Sequence, residues 1–480
     1  MIPSITSTSN KSKKTKQVIF KISAIAFWII VWEALALAIG SDLIISSPVQ
    51  VAGRLAKLIV SPDTWKTVGF SFVRIASGFV LALVLGTAAA VLSSKVKALK
   101  ILLSPITSVI KSTPVASFII LAIMWFGSKN LSIFISFLMV FPIIYLNILG
   151  GIESVSRELK EMSAVYKLSA AKRLGYVYLP QVMPFVISAC SVALGLCWKS
   201  GVAAEVIGIS DGSIGERLYQ AKLYFETGDL LAWTAIIIAV STCLEKIVLL
   251  LLKRLGAFYR YKFSGARMLS EKKHAGMPSK AASNAKDYPV GISLERVSKS
   301  FEGQQVLCDY SLEIAAGEHV ALMGHSGAGK TTLSRLIMGL ESADSGGVKL
   351  SGGASFGVVF QEDRLMEQIN AMGNIVIAGA DPHEAKALLE EFGFNSELMF
   401  KPCMELSGGE KRRVAIARAL LCRSNVVIFD EPFKGIDDRT LYDAIIPRVK
   451  ELSDGKTFVL ITHSREEAQM LCTRIEQINE

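Results

Sequence analysis

The feature that most constrains this chain is a change of sequence character partway along its 480 residues. Residues 18–260 consist largely of long runs of Leu, Ile, Val, Ala and Phe, whereas residues 290–480 have the mixed composition of a soluble domain. A helix needs about 20 mostly apolar residues to cross the hydrocarbon core of a bilayer. Six segments meet this requirement: 22–40, 68–92, 104–125, 131–150, 182–204 and 230–252. The sequence therefore predicts an α-helical membrane domain with six transmembrane helices, over residues 1–261.

Two interruptions mark where this pattern weakens. Lys111 and Pro114 fall within the third apolar segment, and a membrane helix tolerates proline only where neighbouring groups satisfy the carbonyl that it frees. Residues 262–291 are polar, rich in Ser, Ala and Lys, and too poor in large apolar side chains to bury a core. We therefore predict a flexible linker at 262–291 and a separate domain at 292–480.

The net charge of +10 is explained by where the basic residues lie. Lys and Arg cluster before the first segment and after the second, fourth and sixth segments. Cytoplasmic loops carry such an excess, so these clusters place the N-terminus and the C-terminal domain in the cytosol. We expect a multi-pass protein of the cytoplasmic (inner) membrane and no nucleic-acid partner. The seven Cys include no C-x-x-C pair, which argues against a zinc or redox site.

A phosphate-binding loop is the first chemical signal of the C-terminal domain. The apolar strand pattern at 319–323 is followed at once by a G-x-x-x-x-G-K-T loop and then by a helical pattern. Backbone N–H groups of such a loop surround phosphates, and the helix N-terminus adds positive charge. We expect Lys330 to reach the β- and γ-phosphates of ATP and Thr331 to bind Mg²⁺. The candidate phosphate-binding residues are Gly324, Ser326, Gly327, Gly329, Lys330, Thr331 and Thr332.

A second apolar strand pattern, at 426–429, ends in an acidic pair. Asp430 at the strand end is placed to hold Mg²⁺, directly or through water. Glu431, the next residue, is the natural general base for an attacking water. A strand-end pair that only caps a helix is the alternative, which the upstream phosphate loop disfavours.

A third candidate site lies between the two strands. Ser407, Gly408 and Gly409 open a basic, helix-forming segment, which is another anion-binding helix start. One nucleotide does not need two such sites from the same domain. We therefore expect these residues to contact the γ-phosphate of a nucleotide held by a second copy, and predict a homodimer.

Together these segments resemble the nucleotide-binding domain of ATP-binding cassette (ABC) transporters over residues 292–480. The phosphate loop is similar to the family's Walker A motif, LSGGE to its signature motif and VIFDEP to Walker B. The resemblance also implies roles for four further residues. These are Gln361 as the Mg²⁺-sensing Q-loop residue, Asp437 in the D-loop, His463 as the switch histidine and Phe301 as the aromatic stacked on adenine.

The membrane half resembles the permeases of ABC importers. Glu161 and Leu179-Pro180 match the "EAA" cytoplasmic loop, which frames a short coupling helix that docks on the ATPase. Met162-Ser163 replace the usual Ala-Ala, and Lys167 stands where Gly is usual. Three further pieces, around Trp32, Trp125 and Trp198, look like the nitrate, sulfonate, taurine and pyrimidine-precursor importers. The resemblance implies a fusion of permease and ATPase, which are normally separate subunits.

This resemblance implies ATP-driven import of a small organic or anionic solute, delivered by an extracytoplasmic substrate-binding protein. Export stays an alternative because membrane-then-ATPase order is typical of exporters, and so does a non-transporting, ATP-driven signalling complex. Within the fifth apolar segment, Lys199 is a candidate to attract an anionic solute, to pair with Glu205, or simply to reach water at the helix end. The sequence does not distinguish these roles, and it does not identify the solute.

Overall fold

The computed structural model describes residues 6–262, 288–325 and 327–478. Most of the predicted linker at 262–291, and Ser326 of the phosphate loop, lie outside the described residues. The chain divides into two compact units. Residues up to 152 and 184–253 form the first unit, and residues 153–183 join the residues from 254 onward in the second. The predicted boundaries at 261 and 292 stay predictions.

The described residues from 6 to 262 form helices joined by short loops. In chain order the helices are α1 Thr6–Ile39, α2 Pro48–Val60, α3 Pro62–Lys95, α4 Lys97–Ser112, α5 Val115–Phe126, α6 Leu131–Glu153, α7 Arg157–Val165, α8 Ala170–Lys172, α9 Leu179–Gly208, α10 Ile214–Leu223 and α11 Thr227–Lys262, with a π-helical stretch at Arg173–Tyr178. Five described helical segments are long and apolar enough to span a membrane, and a sixth is counted only if a bent pair is one span.

That bent pair replaces the continuous third segment that the sequence predicts over 104–125. Helices α4 and α5 meet at an angle of 108°. Thr113, between them, is extended with a ψ of 133°, and Pro114 begins the next helix. A proline disfavours helical geometry at the residue before it, so the break falls where the sequence already shows its interruption.

Glycines allow three helices of the first unit to pack closely. A Cβ on Gly78 of α3 would lie 2.5 Å from the Ile133 carbonyl oxygen, and one on Gly201 of α9 would lie 2.7 Å from the Ser136 Oγ. Small residues let membrane helices approach in this way. In the same bundle, Glu205 is fully buried and accepts a hydrogen bond from Ser71 at 2.7 Å. Lys199 is exposed.

The second unit contains two sheets. The strands are β1 Ile292–Phe301, β2 Gln304–Ile314, β3 His319–Met323, β4 Ser345–Leu350, β5 Phe356–Val359, β6 Val426–Asp430, β7 Thr457–Ile461 and β8 Arg474–Gln477. An antiparallel sheet has the order β2-β1-β4, and a parallel sheet has the order β5-β6-β7-β3-β8.

Helices cover the parallel sheet, whose strands β5, β6 and β7 are completely buried. They are α12 Lys330–Ile337, α13 Ala371–Val376, α14 Pro382–Glu391, α15 Ser396–Phe400, α16 Gly408–Leu421, α17 Asp438–Thr440, α18 Ile446–Ser453 and α19 Arg465–Leu471. Loops at the carboxyl ends of parallel strands meet along one edge, where α/β proteins bind ligands. This edge receives the loop after β3, Asp430 at the end of β6, and the segment after β7.

Candidate active site

Several positions of the loop between β3 and α12 have a backbone conformation or a close neighbour that only glycine tolerates. Gly327 and Gly329 have φ values of +93° and +85°, in the left-handed region that disfavours a Cβ. A Cβ on Gly324 would lie 2.7 Å from the Ile478 carbonyl oxygen, and one on Gly329 would lie 2.8 Å from Leu307. The glycines of this motif are therefore required by both conformation and space.

Lys330 is held at the centre of this loop. Its Nζ donates hydrogen bonds to the carbonyl oxygens of Gly324 and His325, each at 2.7 Å. Burial lowers the pKa of Lys330, while the nearby carboxylates of Glu431 and Asp430 oppose that shift. The cation therefore lies beside the loop and the acidic pair.

Thr331 and Asp430 form a pair of oxygen ligands suited to Mg²⁺. The Thr331 hydroxyl donates to Asp430 Oδ2 at 2.9 Å, and Gln361 lines the same 160 Å³ cavity as both residues. Burial raises the pKa of Asp430, and the hydrogen bond from Thr331 opposes the rise. Among the described residues, no three His, Cys, Asp or Glu side chains form a metal cluster. Mg²⁺, which takes one or two protein ligands plus phosphates and waters, fits this donor set.

Glu431 and His463 form the second polar pair of the site. His463 Nε2 lies 3.2 Å from Glu431 Oε1, and both side chains are partly exposed. Glu431 has a φ of +46°, which is unusual for a residue with a side chain. Its N–H donates to the Ile461 carbonyl oxygen at 2.9 Å, at the end of β7. The structure thus brings together Lys330, Thr331, Gln361, Asp430, Glu431 and His463.

The remaining predicted residues lie at other positions. Ser407 caps α16 by accepting from the Glu410 N–H at 3.3 Å, and Ser407 and Gly408 are exposed. Asp437 is exposed and accepts from the Thr440 N–H at 2.9 Å. Phe301 on β1 is 40% exposed, and Thr332 is half-buried on α12. These positions leave their side chains or backbone groups available to a ligand or a second chain.

Helix α7, which carries the EAA-like sequence, packs within the second unit. The Glu161 carboxylate accepts two hydrogen bonds from Arg335, at 2.7 and 3.0 Å, and one from Arg364 at 2.8 Å. Burial would raise the pKa of Glu161, but the hydrogen bonds from Arg335 and Arg364 outweigh it and lower the pKa to about 2. Arg335 belongs to α12 and Arg364 follows Gln361, so Glu161 contacts two elements of the site.

The two residues after α7 add further contacts. The Tyr166 hydroxyl donates to the Val358 carbonyl oxygen of β5 at 3.0 Å, and the Arg418 guanidinium lies 5.2 Å from its ring. Lys167 has a φ of +47°, which explains why glycine suits this position, and its Nζ donates to the Ala354 carbonyl oxygen at 2.8 Å. Lys167 therefore adopts the same left-handed conformation that a glycine would adopt at this position.

Sequence reasoning did not single out several residues that the structure places near this site. They are Tyr166, Arg335, Arg364, Arg412 and Arg418. The signal for the arginines was weak, because basic residues in helices and loops normally lie on a solvated face. Tyr166, which follows the fourth apolar segment, was a stronger signal, because a large aromatic side chain is usually buried.

Comparison with known proteins supplies an independent view. Residues 307–434 match the ABC transporter family, and residues 82–257 match the family of binding-protein-dependent transport system inner membrane components. An aliphatic sulfonates import ATP-binding protein of Rhodococcus jostii is 38% identical, over 39% of this chain and 78% of its own length. The chain belongs to the ABC transporter family. The resemblance based on the Walker and signature sequences is thereby confirmed.

Other relatives of this ABC transporter are more varied. An ergothioneine transport ATP-binding protein of Helicobacter pylori is 34% identical, over 39% of this chain and 96% of its own length. A Nod factor export ATP-binding protein of Rhizobium johnstonii is 36% identical, over 39% of this chain and 66% of its own length. The predicted architecture, a helical permease region followed by an ABC ATPase that couples ATP hydrolysis to transport, is confirmed.

Proposed function

We propose that two copies of this chain form an importer that carries a small organic or anionic solute across the cytoplasmic membrane. An extracytoplasmic substrate-binding protein delivers the solute, and the ATPase domains lie in the cytosol. The observation that carries the proposal is the contact of Glu161 with Arg335 and Arg364. It attaches a helix from the permease-family segment directly to the elements that hold Lys330 and Gln361.

The geometry supports a hydrolytic mechanism with divided roles. Lys330 and the loop N–H groups bind the phosphates, while Thr331 and Asp430, with Gln361, would hold one Mg²⁺ that offsets phosphate charge. Glu431 accepts a proton from the attacking water as general base. His463, 3.2 Å from that carboxylate, orients it and contacts the γ-phosphate. Phe301 stacks on adenine from the edge of β1.

The exposed start of α16 supports the homodimer. A helix N-terminus has unpaired N–H groups and positive partial charge, which favour an anion. We propose that Ser407, Gly408 and Gly409 contact the γ-phosphate held by the partner copy, with Asp437 near the same interface. Closing two nucleotides between the ATPase domains would move α7 through its contacts, and hydrolysis would release it.

Import is favoured over export by the membrane half. The ATPase relatives include both import and export proteins, so the ATPase alone does not set direction. The match over residues 82–257 is to components of binding-protein-dependent systems, which supports import. The sulfonate and ergothioneine relatives support a small sulfur-containing organic solute. The exposed Lys199 is a candidate contact for an anionic group.

The test is ATPase activity of the full chain in lipid nanodiscs, with candidate binding proteins and solutes added singly. We expect one solute-loaded binding protein to stimulate hydrolysis, and Glu431→Gln to abolish it. Uptake of that solute into proteoliposomes should then depend on ATP. Glu431-dependent hydrolysis with outward flux would support export. Hydrolysis that is unaffected by any binding protein, with no solute flux, would support the signalling alternative.

A further inference from the structure

Arg412 is a buried arginine whose guanidinium contacts two parts of the site at once. It lies in the first turns of α16, and only 5% of its side chain is exposed. Nη1 donates to the Phe360 carbonyl oxygen at 2.7 Å and to Asp363 Oδ1 at 3.1 Å. Nη2 donates to the carbonyl oxygens of Gln361 at 3.0 Å and Glu431 at 2.8 Å.

The contact with Glu431 matters because the backbone of that residue is strained. A left-handed conformation is unfavourable for a residue with a Cβ, and it persists only where the surroundings hold it. Both backbone polar groups of Glu431 are held: its N–H by Ile461, and its carbonyl by Arg412. Its side chain then lies 3.2 Å from His463. Releasing either backbone contact would let the carboxylate move.

We propose that Arg412 is a positioning residue that fixes the backbone of Glu431 and Gln361 for hydrolysis. This inference rests on the proposed function, because it takes Glu431 as the general base. A lysine could not fully replace Arg412. The planar guanidinium directs its N–H donors from separate nitrogens, whereas the three donors of a lysine ammonium share one nitrogen. Asp363 supplies the opposite charge that a buried cation requires.

The position of Arg412 also connects the two nucleotides of the proposed dimer. Helix α16 begins at Gly408, in the segment proposed to contact the partner's nucleotide. One turn later, Arg412 holds the residue that acts on the nucleotide of its own chain. Nucleotide binding at one site of the dimer therefore affects the position of Glu431 at the other site. Arg412 should thus contribute to cooperativity between the two sites.

The experiment measures ATP hydrolysis by Arg412→Gln and Arg412→Lys in the full chain in nanodiscs. Misplacing a reacting group by about 1 Å can reduce a rate about 100-fold, so we expect Arg412→Gln to lower kcat by about that factor. The KM for ATP should change less than about threefold, because Lys330 and the loop are untouched. Arg412→Lys should be intermediate, and the Hill coefficient for ATP should fall toward one in both variants.

A second readout needs no nucleotide. Hydrogen exchange at the Glu431 amide, which is bonded to Ile461, should be faster in Arg412→Gln than in the wild type. The matched control is Arg413→Gln. Arg413 is the next residue of the same helix, and it donates to the Phe392 carbonyl oxygen at 2.9 Å and contacts the Phe394 ring instead. The kcat of Arg413→Gln should stay within about twofold of the wild-type value.

Two outcomes would overturn the inference. One is an Arg412→Gln protein with near wild-type kcat and unchanged exchange at Glu431. The other is a loss of ATP affinity without a loss of kcat, which would make Arg412 a binding residue. If Arg412→Gln does not fold, the same comparisons apply to Arg412→Lys. If Glu431→Gln instead hydrolysed ATP as fast as the wild type, the proposed function itself would be contradicted.

Discussion

At the scale of single residues, the proposed metal site depends on one hydroxyl. Thr331 donates to Asp430 at 2.9 Å, and burial raises the pKa of Asp430 in the absence of a cation. Thr331→Val keeps the side-chain shape but removes the oxygen. A bond to a charged partner contributes about 1.5–3 kcal/mol, so the Mg²⁺ concentration for half-maximal ATPase activity should rise about tenfold or more. A titration with Mg²⁺ at a fixed ATP concentration measures this half-maximal concentration.

Thr331→Ser is the matched control, because it retains the hydroxyl and loses only a methyl group. It should keep the Mg²⁺ dependence of the wild type within about twofold. If Thr331→Val and Thr331→Ser shift the titration equally, the hydroxyl is not a ligand and the role assigned to Thr331 is wrong.

At the scale of elements, the attachment of α7 depends on charge. Burial would raise the pKa of Glu161, but the hydrogen bonds from Arg335 and Arg364 lower it in the folded protein to about 2, well below its usual range. The ionised Glu161 carboxylate therefore contributes its full stabilisation at any pH above its pKa in the unfolded chain. This stabilisation is lost as the pH falls toward 2. Hydrogen exchange in α7, corrected for intrinsic rates, should be the same at pH 8 and pH 6. Glu161→Gln should speed that exchange about tenfold, since Arg335 and Arg364 lose their shared carboxylate.

Glu158→Gln provides the control for this prediction. It makes the same charge change on the same helix, but Glu158 forms no ion pair with the described residues. Exchange in α7 should then match the wild type. Equal exchange in Glu161→Gln and the wild type would show that apolar packing, through Leu159 and Met162, is sufficient to hold the helix.

Local elements of this chain were predictable, and long-range contacts were not. The strand at 319–323 matches β3, and the phosphate loop and following helix lie where the motif predicts, because glycine spacing and apolar runs act within a few residues. The 108° bend between α4 and α5 was visible only as an interruption at Pro114. The left-handed backbone of Glu431 and the four acceptors of Arg412 depend on segments far apart in sequence.

At the scale of the whole molecule, the proposed dimer builds each site from two chains. Gly408 offers a clean way to block the shared surface, because a Cβ there meets nothing within 4 Å in its own chain. Gly408→Asp should therefore fold normally and repel the partner's phosphate. Glu431→Gln should inactivate the site of its own chain. Each variant alone should have less than about 1% of wild-type ATPase activity, as expected for loss of a transition-state contact.

Mixing the two variants separates a dimer from independent monomers. A mixed dimer pairs the intact Glu431 of one chain with the intact Gly408 of the other, so one of its two sites is complete and the second is doubly defective. Random assembly makes about half of the dimers mixed, and independent sites would then restore about a quarter of wild-type activity. Activity that stays at the level of the separate variants would contradict shared sites. Recovery above the level of the separate variants but well below a quarter, in dimers verified as mixed, would indicate that a complete site works more slowly beside a defective one. That result is the one expected if Arg412 couples the signature segment of each chain to its own Glu431.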